Sequence, residues 1–343
     1  MFAQIALSRS ESCHGRRQVN GEKKTLSIEW LSGCSGCEVA LLDLHDTLLH
    51  VLGNEVRLVR LPILMDTRDY PQADIGMITG SIRSRHDIKA AQAMRKVCKT
   101  IIAFGTCPVY GGPHSGGFAN SSKDLLDCAF RDNSSTHTDT IPDQAEGLLD
   151  RTLPLDAKIT VDVYMPGCPP HPGHILDGLQ FLLHGREQKI AQHPVCFNCD
   201  RNMVKSDQDT IRKPLSGVPN ATDCFLSQGY LCFGSATLDR CMAPCPKSGV
   251  PCFSCGGPSE AVVLDPNKDV RTRVANQMSH LTRIPYETII KEIEEQAKTH
   301  YAYAMASPVF RHKPTFLYRK WTEEKPRKAE PMVYRKWSEK RCL

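Results

Sequence analysis

Eight of the sixteen cysteines fall between Cys196 and Cys255, and that crowding limits what this 343-residue chain can fold into more than any other feature. From Pro194 to Pro258 there is almost no helix or strand periodicity, only cysteine, glycine and proline with isolated apolar residues. Such a stretch is expected to have little hydrocarbon core and to need metal to stay folded. The chain is too long, and its cysteine content too low overall, for a small disulfide scaffold. The apolar run Met1–Leu7 lacks the basic start and the length of a secretory signal, and Arg16-Arg17 is followed by polar residues rather than an apolar stretch. These signals read as cytoplasmic, a reducing setting in which paired cysteines hold metal more often than they form disulfides.

The rest of the composition suits a globular body. Hydrophobic residues make up 41% and charged residues 24%, enough to bury a core and too apolar for disorder throughout. At ~150 residues per domain the length suggests about two domains plus tails. No run approaches the ~18 apolar residues of a membrane span. The net charge is +5, but residues 311–343 alone carry +7, so the body is not a basic nucleic-acid binder. That tail repeats Tyr318-Arg319-Lys320-Trp321-Thr322-Glu323 as Tyr334-Arg335-Lys336-Trp337-Ser338-Glu339, sixteen residues later. Two copies do not make a solenoid; they read as an extended arm on a partner, with paired Trp and Arg anchors as the sharper version.

Strands are expected at Leu26–Leu31, Glu55–Leu61, Ala73–Thr79, Thr100–Phe104 and Ile159–Tyr164. One helix is expected through Leu41, Leu44, Leu48 and Leu52, another from Asp87 through Cys98, and a third over Gly173–His184. Asn120 to Asp156 reads as a polar insertion, and Val270–Met278 and Tyr286–Ala304 as helices. The alternation implies an α/β fold, a mostly parallel sheet covered on both faces.

Cys34-Ser35-Gly36-Cys37 follows the first strand, Cys107 the fourth and Cys168 the fifth. The carboxyl ends of parallel strands share one edge, so four thiolates over 130 residues apart should meet there. They suit zinc or an iron–sulfur cluster. Cys196, Cys199, Cys224, Cys232, Cys241, Cys245, Cys252 and Cys255 are enough for two more four-cysteine sites. A zinc ribbon would pair its two C-x2-C knuckles ~15–20 residues apart. Here 52 residues separate Cys199 from Cys252, which fits adjacent cubane clusters better. A chain with three clusters moves single electrons.

Leu31-Ser32-Gly33-Cys34-Ser35-Gly36-Cys37, Gly105-Thr106-Cys107-Pro108-Val109-Tyr110-Gly111-Gly112 and Pro166-Gly167-Cys168-Pro169-Pro170 together resemble the small subunit of nickel–iron hydrogenases, from about Leu26 to Pro258. The resemblance implies a flavodoxin-like domain over 25–190, after a polar tail at 1–24, and a two-cluster ferredoxin-like module over 191–265. A helical segment at 266–310 and the basic tail at 311–343 follow. It implies three 4Fe–4S clusters: proximal on Cys34, Cys37, Cys107 and Cys168, distal on Cys196, Cys199, Cys224 and Cys232, and medial on Cys241, Cys245, Cys252 and Cys255. Exported members usually have histidine where Cys196 stands and often proline at a medial position; these departures resemble the cytoplasmic, methyl-viologen-reducing hydrogenases that associate with heterodisulfide reductase.

The implied partners are a nickel–iron large subunit and an iron–sulfur or flavin acceptor subunit of heterodisulfide-reductase type. Deazaflavin-reducing hydrogenases are the runner-up, ahead of a complex-I-like quinone reductase subunit and a zinc scaffold. No second CxxC pair is left for hydrogen activation, since Cys13, Cys98, Cys128 and Cys342 stand singly, so the catalyst is expected on a separate chain. In some relatives an aspartate also ligates the proximal cluster, which singles out Asp66 against the plainer reading of a carboxylate capping the turn after Pro62. Glu38 is either a proton relay or a helix-start acid, and His171 either a cluster hydrogen-bond donor or a cap. Cys98 is expected on the apolar side of a helix. The run Gly111 to Gly117 looks weakly like a phosphate loop but lacks its lysine.

Overall fold

The computed structural model describes residues 23–113, 122–131, 134–135, 140–142, 147–185, 193–214, 216–265, 269–295 and 303. The repeated basic tail, Cys13, Cys342, most of the N-terminal tail and the end of the glycine run lie outside the described residues.

The first half runs β1 (Lys24–Trp30), α1 (Gly36–Leu42), α2 (Asp46–Asn54), β2 (Val56–Arg60), β3 (Ala73–Thr79), β4 (Ile82–Ser84), α3 (Arg85–Val97), β5 (Cys98–Phe104), α4 (Thr106–Tyr110), α5 (Ser122–Phe130), β6 (Leu148–Leu153), β7 (Val163–Met165) and α6 (Pro172–His184). Five strands pair in parallel in the order β2-β1-β3-β5-β7. Counting parallel strands alone gives 2-1-3-4-5, the flavodoxin-like doubly wound order. Side chains alternate across each strand, so neighbours bury on opposite faces. Ile75, Met77, Ile102 and Phe104 pack with Ala40, Leu41, Leu48, Ile175 and Leu179 from α1, α2 and α6. Ile78, Ile101 and Ala103 pack with Ala90, Ala91 and Met94 of α3.

Several expectations need correcting. The helix through Leu41 to Leu52 is two helices, broken at His45, whose backbone takes φ 48°. Leu44 and Leu48 are buried on either side of the break, so the apolar spacing runs through it unchanged. The helix read from Asp87 starts at Arg85, because Ser84 and Asp87 form a reciprocal capping box. The polar insertion holds α5 and β6, and β6 pairs antiparallel with β4. The fifth strand is shorter than Ile159–Tyr164, because the Asp162 carboxylate accepts from the Ile101 amide (2.6 Å) and from Arg95 (2.5 Å) where the ladder would continue. Cys98 is in the core, but as the first residue of β5 rather than on a helix.

The second half is loop, with 3₁₀ turns at Val195–Asn198 and Gly234–Ala236, then α7 (Pro244–Lys247), α8 (Glu260–Leu264), α9 (Val270–Leu281) and α10 (Tyr286–Glu295). Its expected lack of hydrocarbon core is overturned. Val195, Phe225, Leu226, Tyr230, Leu231 and Phe233 bury with Val262, Val274, Met278, Ile289 and Ile293 in one cluster that also contains Ile78 and Tyr110 of the first half. Loops deliver these side chains singly, which is why no periodicity announces them; α9 and α10 supply the regular apolar face. Among the described residues no helix is long and apolar enough to cross a membrane.

Packing against the middle strand is tight. A Cβ at Gly76 would lie 2.7 Å from the Cys98 sulfur and 2.8 Å from Ile101 Cδ1. Gly76→Ala is therefore expected to destabilise the chain by about 1–3 kcal/mol, seen as a lowered midpoint of anaerobic thermal unfolding. An unchanged midpoint would mean that β3 and β5 are not packed this closely.

Candidate functional site

Cys34 and Cys37 lie just past β1, Cys107 in the short helix after β5, and Cys168 just past β7, all on the carboxyl edge of the sheet. Burial pushes the Cys107 thiol up to about 12, with Cys34 and Glu38 adding to it, and the Cys168 thiol up to about 12, with Cys107 and Cys34 adding. Burial raises Cys37 further still, and Glu38, Cys107, Cys168 and Cys34 act in the same direction. The four thiols are thus mutual neighbours. Two glycines make the room: a Cβ at Gly105 would sit 2.4 Å from the Cys37 sulfur, and one at Gly112 2.4 Å from the Cys107 sulfur. Both have positive φ, 100° and 61°, which glycine adopts without strain. Within the described part of the glycine run, Gly112 leaves room for the Cys107 sulfur.

The other eight cysteines form two further sets. Burial raises Cys196, with Cys232, Cys224 and Cys199 beside it. Burial likewise pushes Cys241 up to about 12, and Cys255 and Cys245 are among its neighbours; Cys252 is raised by burial, then by Cys232, and also neighbours Cys255. Backbone amides two residues on, at Leu226, Gly234, Ala243 and Ser254, act against burial at the sulfurs of Cys224, Cys232, Cys241 and Cys252. Such donors favour the thiolate, against the burial that disfavours it. To aim them, the backbone turns left-handed at non-glycine residues. Of the five described non-glycine residues with positive φ, four (Ser35, Met242, Ala243 and Ser254) lie within or directly after a cysteine motif. Backbone held in such conformations clusters at functional sites.

Contacts between the sets put them in series. Burial, then Cys168 beside it, pushes the Cys255 thiol up to about 11, and the Thr106 hydroxyl, next to Cys107, donates to the Cys255 carbonyl at 2.5 Å, joining the set at 34–168 to the set at 241–255. The Cys252 amide donates to the Cys232 sulfur at 3.3 Å, joining the set at 241–255 to the set at 196–232.

All fourteen described cysteines are free thiols. Among the described residues no three or more His, Cys, Asp or Glu side chains gather closely enough to hold a single metal ion. Zinc would draw four sulfurs to about 3.8 Å of one another, from Zn–S bonds of about 2.3 Å. A cluster with its own irons and sulfides inside the cage holds them further apart. Unbridged thiols in fours, most of them partly or fully buried, with glycine cradles beside them, fit iron–sulfur clusters.

The remaining candidates separate. His171 is the N-cap of α6, its Nδ1 accepting from the Gly173 amide at 3.2 Å. Glu38 is buried in the first turn of α1; its Oε1 accepts from the Thr79 hydroxyl and its Oε2 has no partner. Asp66 is exposed in the loop after β2. Tyr303 was not foreseen. Burial pushes its phenol up to about 12, with Cys168, Cys255, Cys245 and Cys107 adding to it, so it lies beside the junction of the first two sets. Nothing in the sequence near residue 303 marks it, because only the return of the chain brings it there.

Residues 34–182 match the family model of the NADH ubiquinone oxidoreductase 20 kDa subunit, which stops short of the eight-cysteine segment. A relative that includes that segment decides the assignment: the vhu G subunit of the F420-non-reducing hydrogenase of Methanocaldococcus jannaschii is 36% identical over 252 residues, 73% of this chain and 85% of that one. The chain belongs to the G-subunit family of F420-non-reducing hydrogenases. The corresponding vhu G subunit of Methanococcus voltae is 34% identical over 71% of this chain and 85% of its own. The G subunit from Methanothermobacter marburgensis is 29% identical over 83% of this chain and 95% of its own. In shape the chain is similar to a chain of an NAD+-reducing NiFe-hydrogenase in the H2-reduced state (TM-score 0.46, 28% identity, 48% of this chain and 94% of that one). The hydrogenase G-subunit carries electrons, with catalysis on a separate chain, as its sequence motifs implied.

The glycine cradle is testable. Gly105→Ala forces a Cβ onto the Cys37 sulfur. The variant is expected to lose about four irons per chain, one cluster's worth, by anaerobic iron analysis. Retention of full iron would separate Gly105 from the cluster environment.

Proposed function

We propose that the twelve cysteines hold three 4Fe–4S clusters in series, and that this subunit takes electrons from H2 oxidation on a nickel–iron large subunit and delivers them to an iron–sulfur or flavin partner of heterodisulfide-reductase type in the cytoplasm. Cys34, Cys37, Cys107 and Cys168 would hold the proximal cluster, Cys241, Cys245, Cys252 and Cys255 the medial one, and Cys196, Cys199, Cys224 and Cys232 the distal one. When bound, each cluster supplies a centre that accepts and releases one electron. The single observation that carries the reading is the pair of junctions, Cys168 to Cys255 and Cys252 to Cys232, which order the three sets in a line.

The protein's own contribution is placement. Burial of the sulfurs removes water from around them, and the amides aimed at them stabilise negative charge. Exposed apolar residues flank the first and last sets. Cys34 is exposed and α1 presents Val39 and Leu42 to solvent, which suits the large-subunit contact. At the other end Phe197, 72% exposed between Cys196 and Cys199, stacks on His193 with ring centroids 4.1 Å apart and suits contact with the acceptor. The deazaflavin-reducing alternative draws less support: the gamma subunit of the coenzyme F420 hydrogenase of Methanosarcina barkeri is 28% identical over 64% of this chain.

Anaerobic analysis is expected to find about twelve irons and as many acid-labile sulfides per chain, with a large subunit co-purifying. A zinc scaffold would contain almost none. Cys107→Ala should abolish H2-dependent dye reduction while the distal-cluster signals persist in electron paramagnetic resonance. Normal turnover in that variant would remove Cys107 from the ligand set.

A further inference from the structure

Thr106 stands where the first and second cysteine sets meet, and it is 1% exposed. Its amide donates to the Gly167 carbonyl at 2.8 Å, and the Gly167 amide donates back to its hydroxyl at 2.9 Å. The same hydroxyl donates to the Cys255 carbonyl at 2.5 Å. Its donor and one acceptor position are both in use, and each bond ends on a cysteine of one set or the residue before a cysteine of the other. Across the same seam Cys168 and Cys255 are neighbours. One hydroxyl therefore pins the loop carrying Cys168 to the loop carrying Cys255, although the two residues are far apart in sequence.

We propose that Thr106 is a positioning residue that sets the separation of the first and second clusters, and through it the rate of electron passage between them. The inference rests on the three-cluster reading above. Electron tunnelling falls exponentially with distance, so a clamp that keeps the Cys168 and Cys255 loops in contact acts on rate without touching either iron. A hydroxyl suits this role because it reaches both loops at once, whereas an apolar side chain of the same shape fills the space but ties neither.

The test uses the full chain in its anaerobically purified complex, with Thr106→Val removing the hydroxyl at constant shape and Thr106→Ser keeping it. Three quantities are measured: iron and sulfide content, the magnetic interaction between the two reduced clusters by electron paramagnetic resonance, and kcat and KM for H2-dependent dye reduction. The valine variant is expected to keep its iron, show a weakened interaction and lose kcat several-fold, with KM for H2 unchanged. The serine variant should match the wild type in all three. Wild-type interaction and kcat in an iron-replete valine variant would overturn the proposal. So would a serine variant that retains its iron yet shows a weakened interaction, and this arm stands even if the valine variant does not fold. A wild-type chain without iron would instead overturn the cluster reading itself, and the iron analysis tells the two failures apart.

Discussion

A thiol taken out of water resists ionisation, and nine of the twelve grouped cysteines are pushed upward by burial before any neighbour acts. Gathering such groups in fours is unfavourable for thiolates by themselves and favourable only with a cation among them. Much of the remaining design follows from this constraint. Glycines at 105 and 112 give sulfur the space a side chain would take, and left-handed turns at Ser35, Met242, Ala243 and Ser254 wrap the backbone around it. Because ligands must lose their protons as they bind, cluster loading in such a site is coupled to proton release and to folding.

The sheet solves the first gathering problem by topology. Parallel strands end together, so motifs separated by long stretches of chain arrive at one edge. The second half solves it differently, with loops held by a shared core rather than by a ladder. That core is continuous with the sheet face through Tyr110 and Ile78. At the boundary a Cβ on Gly257 would lie 2.0 Å from Tyr110 Cε2, so the two halves pack backbone to ring. Close packing of this kind transmits position well, which is what a series of redox centres needs.

The sheet strands were legible because their apolar runs are short and bounded by glycine or proline; β3, over Ala73–Thr79, matches its expected span residue for residue. The C-x2-C pairs and the cysteines at strand ends were legible as well, since these are local signals. The break at His45 was not, because Leu44 and Leu48 stay buried on both sides of it. The β4–β6 pair escaped notice because one partner has only three residues and the other carries charges within a polar stretch. The hydrocarbon core of the cysteine-rich half was invisible for a related reason: Phe225, Leu226, Tyr230 and Phe233 have no period until α9 and α10 fold over them.

Residue types and their spacing were enough to specify the chemistry: twelve thiols in motif spacing, a parallel sheet to present the first four, and membership of a hydrogenase subunit family. What joins the sets emerged only on folding. Thr106 meets Cys255 through a hydroxyl-to-carbonyl bond, and Cys252 meets Cys232 through an amide-to-sulfur bond, that no spacing rule foretells. The reason is physical. Side-chain type and local period are written residue by residue, whereas which amide faces which sulfur depends on how two distant loops come to rest against a common core.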